Sequence, residues 1–383
     1  MADADSELSS NVKSRRRDTC TRDTKVTISA PKLRRKQPAM QSAIIPDDGA
    51  RHTTMRDGSG EQRRRFRPKC AVTGAMAALA LIFEHLSMLS VAADTRILRV
   101  GPGLTFATPS AAAAVAQSGD TIEIAPGTYR DCAVWPAGAR GLTITAAAGG
   151  AVAIADRTCE GKAIFVVKGD NVTVRGITFT GAKVPNHNGA GIRAEARNLT
   201  VEDSKFLDNE EGMLAGALTG STIIVRGSYF KGNGNCLDPA GCAHGIYAGN
   251  IDRLIVENST FIEQHIGHHI KSRAERTELV GNTIQDGQNG NSSYLVDIPD
   301  GGALIMRNNI LQKGPLSDNP SVAVTLGEES NRNATPEIVI ENNQFTNHLP
   351  RETTFVRNLT GRPAVLRGNG LTGPVRPLDE LRP

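Results

Sequence analysis

The 383-residue sequence predicts an all-β fold, a right-handed parallel β-helix closed at its start by a short capping helix. Three observations predict it. A column pattern recurs along the body of the chain, turn residues separate the short apolar segments of each repeat, and an Ala-rich segment stands directly before the first repeat.

The pattern is an aliphatic residue, then Ser or Asn three later, then Phe, Ile or Leu five later. The first column is Val174, Val201, Val225, Val256, Leu279, Ile305, Ile340 and Leu366. The second is Ile177, Ser204, Ser228, Ser259, Asn282, Asn308, Asn343 and Asn369, and the third is Phe179, Phe206, Phe230, Phe261, Ile284, Ile310, Phe345 and Leu371. Successive units are 27, 24, 31, 23, 26, 35 and 26 residues apart, so loops of different length leave a regular coil. A further apolar column opens each unit: Ile192, Leu214, Ile246, Ile270, Val296, Val324 and Val356. Each unit therefore supplies short strands with inward aliphatic residues, joined by Gly, Asn and Asp turns. A leucine-rich frame is absent, and a propeller blade needs about 40 residues per repeat. Stacked coils expose an apolar end, which gives a helix over Phe106–Gln117 a capping task.

That segment is followed by Gly119-Asp120-Thr121-Ile122-Glu123-Ile124 and Ala125-Pro126-Gly127-Thr128-Tyr129. It resembles the entry cap of the pectate-lyase-like right-handed β-helix superfamily, whose members carry repeats of this kind (PbH1-type). The resemblance covers residues 97 to about 373. It implies the fold and leaves the activity open, because that superfamily includes lyases, hydrolases, epimerases and phage tailspikes.

Charge divides the chain. Residues 1–93 hold 17 basic and 10 acidic residues, and residues 94–383 hold 27 and 30. The basic balance belongs to the leader and the body is mildly acidic, which removes the main support for a nucleic-acid partner. Residues 1–62 are polar and lack hydrophobic period, as in a disordered leader. Residues 63–93 resemble a signal peptide: Arg63-Arg64-Arg65-Phe66-Arg67-Pro68-Lys69, an apolar run from Val72 to Phe83, and Val91-Ala92-Ala93 before Asp94. The run is short for a membrane anchor, the competing reading, and Glu84 and His85 interrupt it. A signal placed so late suggests translation from Met55. The expected location is secreted or periplasmic, with residues 94–383 forming the β-helix domain and no membrane attachment after cleavage.

The body keeps four cysteines. In an exported protein they suggest the disulfides Cys132–Cys159 and Cys236–Cys242, and their spacing is wrong for a zinc knuckle. No metal site is expected from the sequence.

In a parallel coil the residue after an inward one faces out, and neighbouring coils lie about 4.8 Å apart. The outward column beside the entry column is Arg193, Ala215, Tyr247, Lys271, Asp297, Thr325 and Arg357. Tyr247, Lys271 and Asp297 should thus be direct neighbours, with His244, His268 and Tyr294 in a parallel column. His269 and Arg273 should also face out. The inserts Lys231–Ala243 and Asp286–Ser293 flank this cluster as walls for a groove. Lyases and C5-epimerases of uronates need a base to take the proton next to the carboxyl group and a cation to neutralise that group. Lys271 with a lowered pKa, or Tyr247 beside a cation, would be the base, and Arg273 the neutralising group. His268, His269 or Tyr294 would return the proton, with His244, Tyr294 and Asp297 contacting substrate. A hydrolase would need two carboxylates, and the cluster offers one clear candidate. The competing reading is a solvated charge ladder with weak ion pairs.

Lys271-Ser272, followed by Asn282-Thr283, looks like the Lys-Ser segment of alginate lyases and chondroitinase-B-like lyases, which implies Lys271 as base. Those families place acidic calcium ligands upstream, where this chain has Gln264, His265 and Ile266, so that ligand set does not carry over and calcium stays open as a cofactor. Asp238-Pro239 followed by His244-Gly245 faintly resembles a segment of alginate C5-epimerases. The sequence thus points to a polysaccharide partner and a lyase or epimerase of an acidic glycan. The alternative is a non-catalytic glycan-binding or structural envelope β-helix.

Overall fold

The computed structural model describes residues 95–237 and 241–381. The leader, the signal-like segment and the alternative start at Met55 lie outside the described residues, as do Asp238 and Pro239. The chain winds through three sheets in fixed rotation. Sheet A has eleven strands, from Ile97–Val100 to Val365–Arg367. Sheet B has ten, from Gly127–Tyr129 to Gly370–Thr372, and sheet C ten, from Ala133–Trp135 to Val375–Glu380. Neighbours in each sheet are parallel and come from successive coils. This is the right-handed parallel β-helix that the repeat predicts. The capping helix is shorter than the segment that suggested it. It spans Pro109–Ala113, is N-capped by Thr108, and buries Ala112 and Ala113.

The interior is built by stacking like on like. Phe206, Phe230 and Phe261 lie in three consecutive coils with ring centroids 4.5 Å apart, close to the coil spacing. Between sheets A and B the buried polar column works as a hydrogen-bond ladder. The backbone N–H of Ser228 donates to Ser259 Oγ at 3.1 Å, that of Ser259 to Asn282 Oδ1 at 2.9 Å, and that of Asn282 to Asn309 Oδ1 at 2.9 Å. Strands diverge at this corner, so their N–H groups would otherwise lack partners in a dry interior.

Two units depart from the sequence register by one residue. In one, Met306, Asn309 and Leu311 occupy the three columns in place of Ile305, Asn308 and Ile310, and Ile310 is exposed. The corner explains this. The residue ahead of the ladder takes a left-handed backbone, at Asp203, Gly227, Asn258, Gly281 and Asn342 alike, and Asn308 takes that place with φ 56°. Its neighbour Asn309 is therefore the ladder member. Asn309→Ala should cost about 2–3 kcal/mol by orphaning the buried Asn282 donors. Asn308→Gly should leave stability within about 0.5 kcal/mol or raise it, because glycine adopts that conformation freely. Urea unfolding of the two variants checks the assignment, which the opposite ranking would reverse.

In the other unit Met213, not Leu214, continues the entry column, pairing with Ile192 and Ile246. Leu214 faces out between Arg193 and Tyr247, and Ala215 turns inward against Ala248. Both expected disulfides, Cys132–Cys159 and Cys236–Cys242, are formed. Among the described residues no helix is long and apolar enough to cross a membrane.

Candidate functional site

The outer face of sheet C differs from the other two. Strands Glu211–Ala215 and Val322–Leu326 are buried at every position. The register places Tyr247 beside Lys271 and Lys271 beside Asp297, as the column predicts.

Three residues before this column runs a second one. The backbone N–H of His268 donates to His244 Nδ1 at 3.0 Å, and that of Tyr294 to His268 Nδ1 at 3.1 Å. The His244 and His268 rings stack with centroids 4.7 Å apart, and the Tyr294 ring lies tilted against His268 at 5.0 Å. Accepting through Nδ1 leaves each imidazole its proton on Nε2. Burial, with the Lys271 cation nearby, pushes His268 down to about 3 and holds His244 well below the ordinary histidine range. At neutral pH the His268 ring is therefore neutral, and its Nε2 lies 3.4 Å from Asp297 Oδ2.

His269 is a correction. It is buried, and its Nε2 meets Asp286 Oδ1 at 3.1 Å. Strict alternation fails at the entry of sheet C. Gly191 and Gly212 hold the equivalent inward position on earlier coils, where a Cβ would press on the Phe206 and Phe230 rings. His269 takes that place on its own coil and is closed off from the groove.

Lys271 is a second correction. Its Nζ lies 3.2 Å from Asp297 Oδ2 and 2.8 Å from Glu329 Oε1. Burial opposes the charge, yet the two carboxylates outweigh it and raise the pKa above the ordinary lysine value, so the expected lowering does not occur. Asp297 is buried, and this pushes it up to about 6 despite the lysine. Its Oδ1 has no hydrogen-bond partner among the described residues.

Arg273 gathers three groups. Nε donates to Tyr247 Oη at 2.9 Å, Nη1 to Asp300 Oδ2 at 2.8 Å and Nη2 to Glu329 Oε2 at 2.5 Å. Asp300 also accepts from Arg332 and from Ser330 Oγ. Glu329, Ser330 and Arg332 come from the insert after Val322–Leu326, whose Glu329 and Ser330 N–H groups both donate to Pro299 O at 2.9 Å. This insert takes the wall position expected for Asp286–Ser293, which instead wraps the buried Asp286. Of the other expected wall, Gly241, Cys242 and Ala243 line a groove of about 580 Å³.

Tyr247, Arg193, Arg273, Arg332, His187 and Glu211 also line that groove. Glu211 escapes the sequence reading. It is buried, its Oε2 accepts the His244 N–H at 2.9 Å, and burial holds its carboxyl well above the ordinary carboxylate range. It belongs to the His244 column one coil earlier. The signal was present: three residues before the outward Leu214 is Glu211, whereas counting from Ala215 lands on Gly212. Among the described residues no three His, Cys, Asp or Glu side chains come together as metal ligands.

No family model and no curated protein matches the chain. Solved structures do match in trace. Pectin methylesterase from carrot is 11% identical with a TM-score of 0.38, over 75% of this chain and 88% of that one. The pectate lyase Pel9A is 14% identical with a TM-score of 0.38, over 75% and 79%. ORF18 of Geobacillus virus E2 is 16% identical with a TM-score of 0.41, over 70% and 54%.

Proposed function

We propose that the protein is exported and acts on an acidic polysaccharide as a lyase or C5-epimerase. The observation that carries this reading is the 2.9 Å contact from the Arg273 guanidinium to the Tyr247 phenol oxygen, in a groove lined by three arginines. The two disulfides support an oxidising compartment.

In this reading Tyr247, as the phenolate, takes the proton from the carbon next to a uronate carboxyl. The bonding pair moves into the carboxyl group, whose growing charge Arg273 and Lys271 offset. In a lyase the pair then forms a carbon–carbon double bond as the bond to the neighbouring glycosidic oxygen breaks, and that oxygen takes up the proton held by Tyr247. In an epimerase a donor on the opposite face of the sugar returns a proton to carbon. Lys271 is thus assigned to charge neutralisation, since its two carboxylate partners keep it protonated.

A structural reading has one observation in its favour. Lys271 and Arg273 already have carboxylate partners within the chain. The test incubates the purified protein with alginate, pectate and glycosaminoglycans, with and without calcium. Ultraviolet absorbance reads unsaturated uronyl ends, and NMR in heavy water reads deuterium at C5. Tyr247→Phe should lower either signal about 10³-fold. Silence in both channels across the panel would discard the enzymatic reading and leave binding or a structural role.

A further inference from the structure

We propose that Lys271 Nζ and Arg273 Nη2 form a carboxylate-binding subsite, that Glu329 fills it from within the chain, and that a uronate carboxylate binds there by displacing Glu329. The proposal rests on the acidic-glycan reading of this face, but not on catalysis.

The geometry is that of a bound ligand. One carboxylate bridges two cations, Oε1 to Lys271 Nζ at 2.8 Å and Oε2 to Arg273 Nη2 at 2.5 Å. The two cations are fixed. Lys271 is held by Asp297 on the next coil, and Arg273 by Tyr247 and Asp300, with side chains 13% and 17% exposed. Glu329 is different, because its side chain is 47% exposed. The carboxyl can leave without moving its backbone, since the Glu329 N–H remains on Pro299 O and Asn333 Nδ2 remains on Arg273 O at 3.1 Å.

Exposure favours exchange. Glu329 is the solvent-exposed member of both pairs, so an incoming carboxylate can replace it contact for contact. Removing Glu329 outright would leave the subsite with two cations facing outward and Asp297 and Asp300 behind them. Tyr247 Oη lies against the same guanidinium, so a sugar carboxylate in the subsite sets its neighbouring carbon beside the phenol. Glu329 therefore acts as a resident stand-in that selects for glycans carrying carboxylates and keeps the two cations paired until one arrives.

The test is calorimetric titration of the full chain with trigalacturonate and with its fully methyl-esterified form. Glu329→Gln should bind trigalacturonate about tenfold more tightly than the wild-type chain, with no gain for the ester. Glu329→Gln combined with Arg273→Lys should lose that gain, because the planar fork is gone. Thermal unfolding of Glu329→Gln should match wild type, which separates the binding effect from misfolding. Equal affinity of wild type and Glu329→Gln, the same gain for the ester, or no binding of trigalacturonate by Glu329→Gln would each overturn the proposal. Binding with this pattern but no turnover would sink only the enzymatic reading, and turnover without the pattern would sink only the subsite.

Discussion

Arg273→Ala is expected to lower turnover of an acidic polysaccharide about 10⁴-fold while leaving the β-helix folded. The loss is larger than for Tyr247→Phe because one side chain serves two roles. Nε steadies charge on the Tyr247 oxygen at 2.9 Å, and Nη2 faces the carboxylate position that Glu329 occupies at 2.5 Å. The fold should survive, since the buried Asp300 keeps its contacts with Arg332 and Ser330. Arg273→Lys should recover little, because an ammonium cannot reach phenol, Asp300 and Glu329 together. Steady-state kinetics with circular dichroism as a fold control checks this. Full activity in Arg273→Ala would remove the proposed centre.

The second large effect concerns stability. Asp286 is wholly buried at the corner between sheets B and C, and four donors converge on it. Oδ1 accepts from Ser292 Oγ at 2.5 Å and meets His269 Nε2 at 3.1 Å, while Oδ2 accepts from Gly314 N at 3.1 Å and from Ser317 Oγ. Burial opposes its charge, but His269, the Lys313 cation and the hydroxyl donors win and bring its pKa down to about 2. Asp286→Ala should cost about 3–5 kcal/mol at neutral pH, the scale of removing one partner from a buried charged network. Asp286→Asn should recover little, because its amide would point a donor at donors.

The sign of the pH effect follows from the direction of the shift. A carboxylate depressed in the folded state stabilises fully above its unfolded pKa of about 4, and that stabilisation fades as pH falls through about 2. Wild type should lose about 2 kcal/mol more than Asp286→Ala between neutral pH and pH of about 2. Lys313 adds a second slope. It is fully buried with its Nζ donating to Ser292 O and Ser293 O, and burial lowers its pKa to about 8. A cation disfavoured by folding gives stability that rises between pH of about 8 and the ordinary lysine range near 10, where the unfolded chain still holds the proton. Urea unfolding across pH reads both slopes, and a flat wild-type profile would contradict them.

The sequence by itself determined the solenoid. A coil that repeats every two to three dozen residues must place like residues above like, so the Phe and Ser/Asn columns are visible without coordinates. It also determined that Tyr247, Lys271 and Asp297 stack, because their offset from the entry column is constant on three coils. Its failures share one cause, which is local geometry at corners. Doubled residues such as Asn308-Asn309 and Met213-Leu214 leave the register ambiguous by one, and only the left-handed backbone at the corner resolves the first. Alternation predicted His269 outward, yet the entry of sheet C puts two consecutive residues inside.

Only the tertiary structure decided the electrostatics. Glu329, Asp300 and Arg332 reach the cluster across sequence gaps of 27 to 59 residues from Arg273, from an insert and a turn that carry no period. Their arrival turns Lys271 from an expected base into a firmly protonated cation, and burial raises Asp297 and Glu211. Periodicity fixes which side chains share a face. The charge state of each depends on desolvation and on partners brought from distant loops, and neither is written in the local pattern.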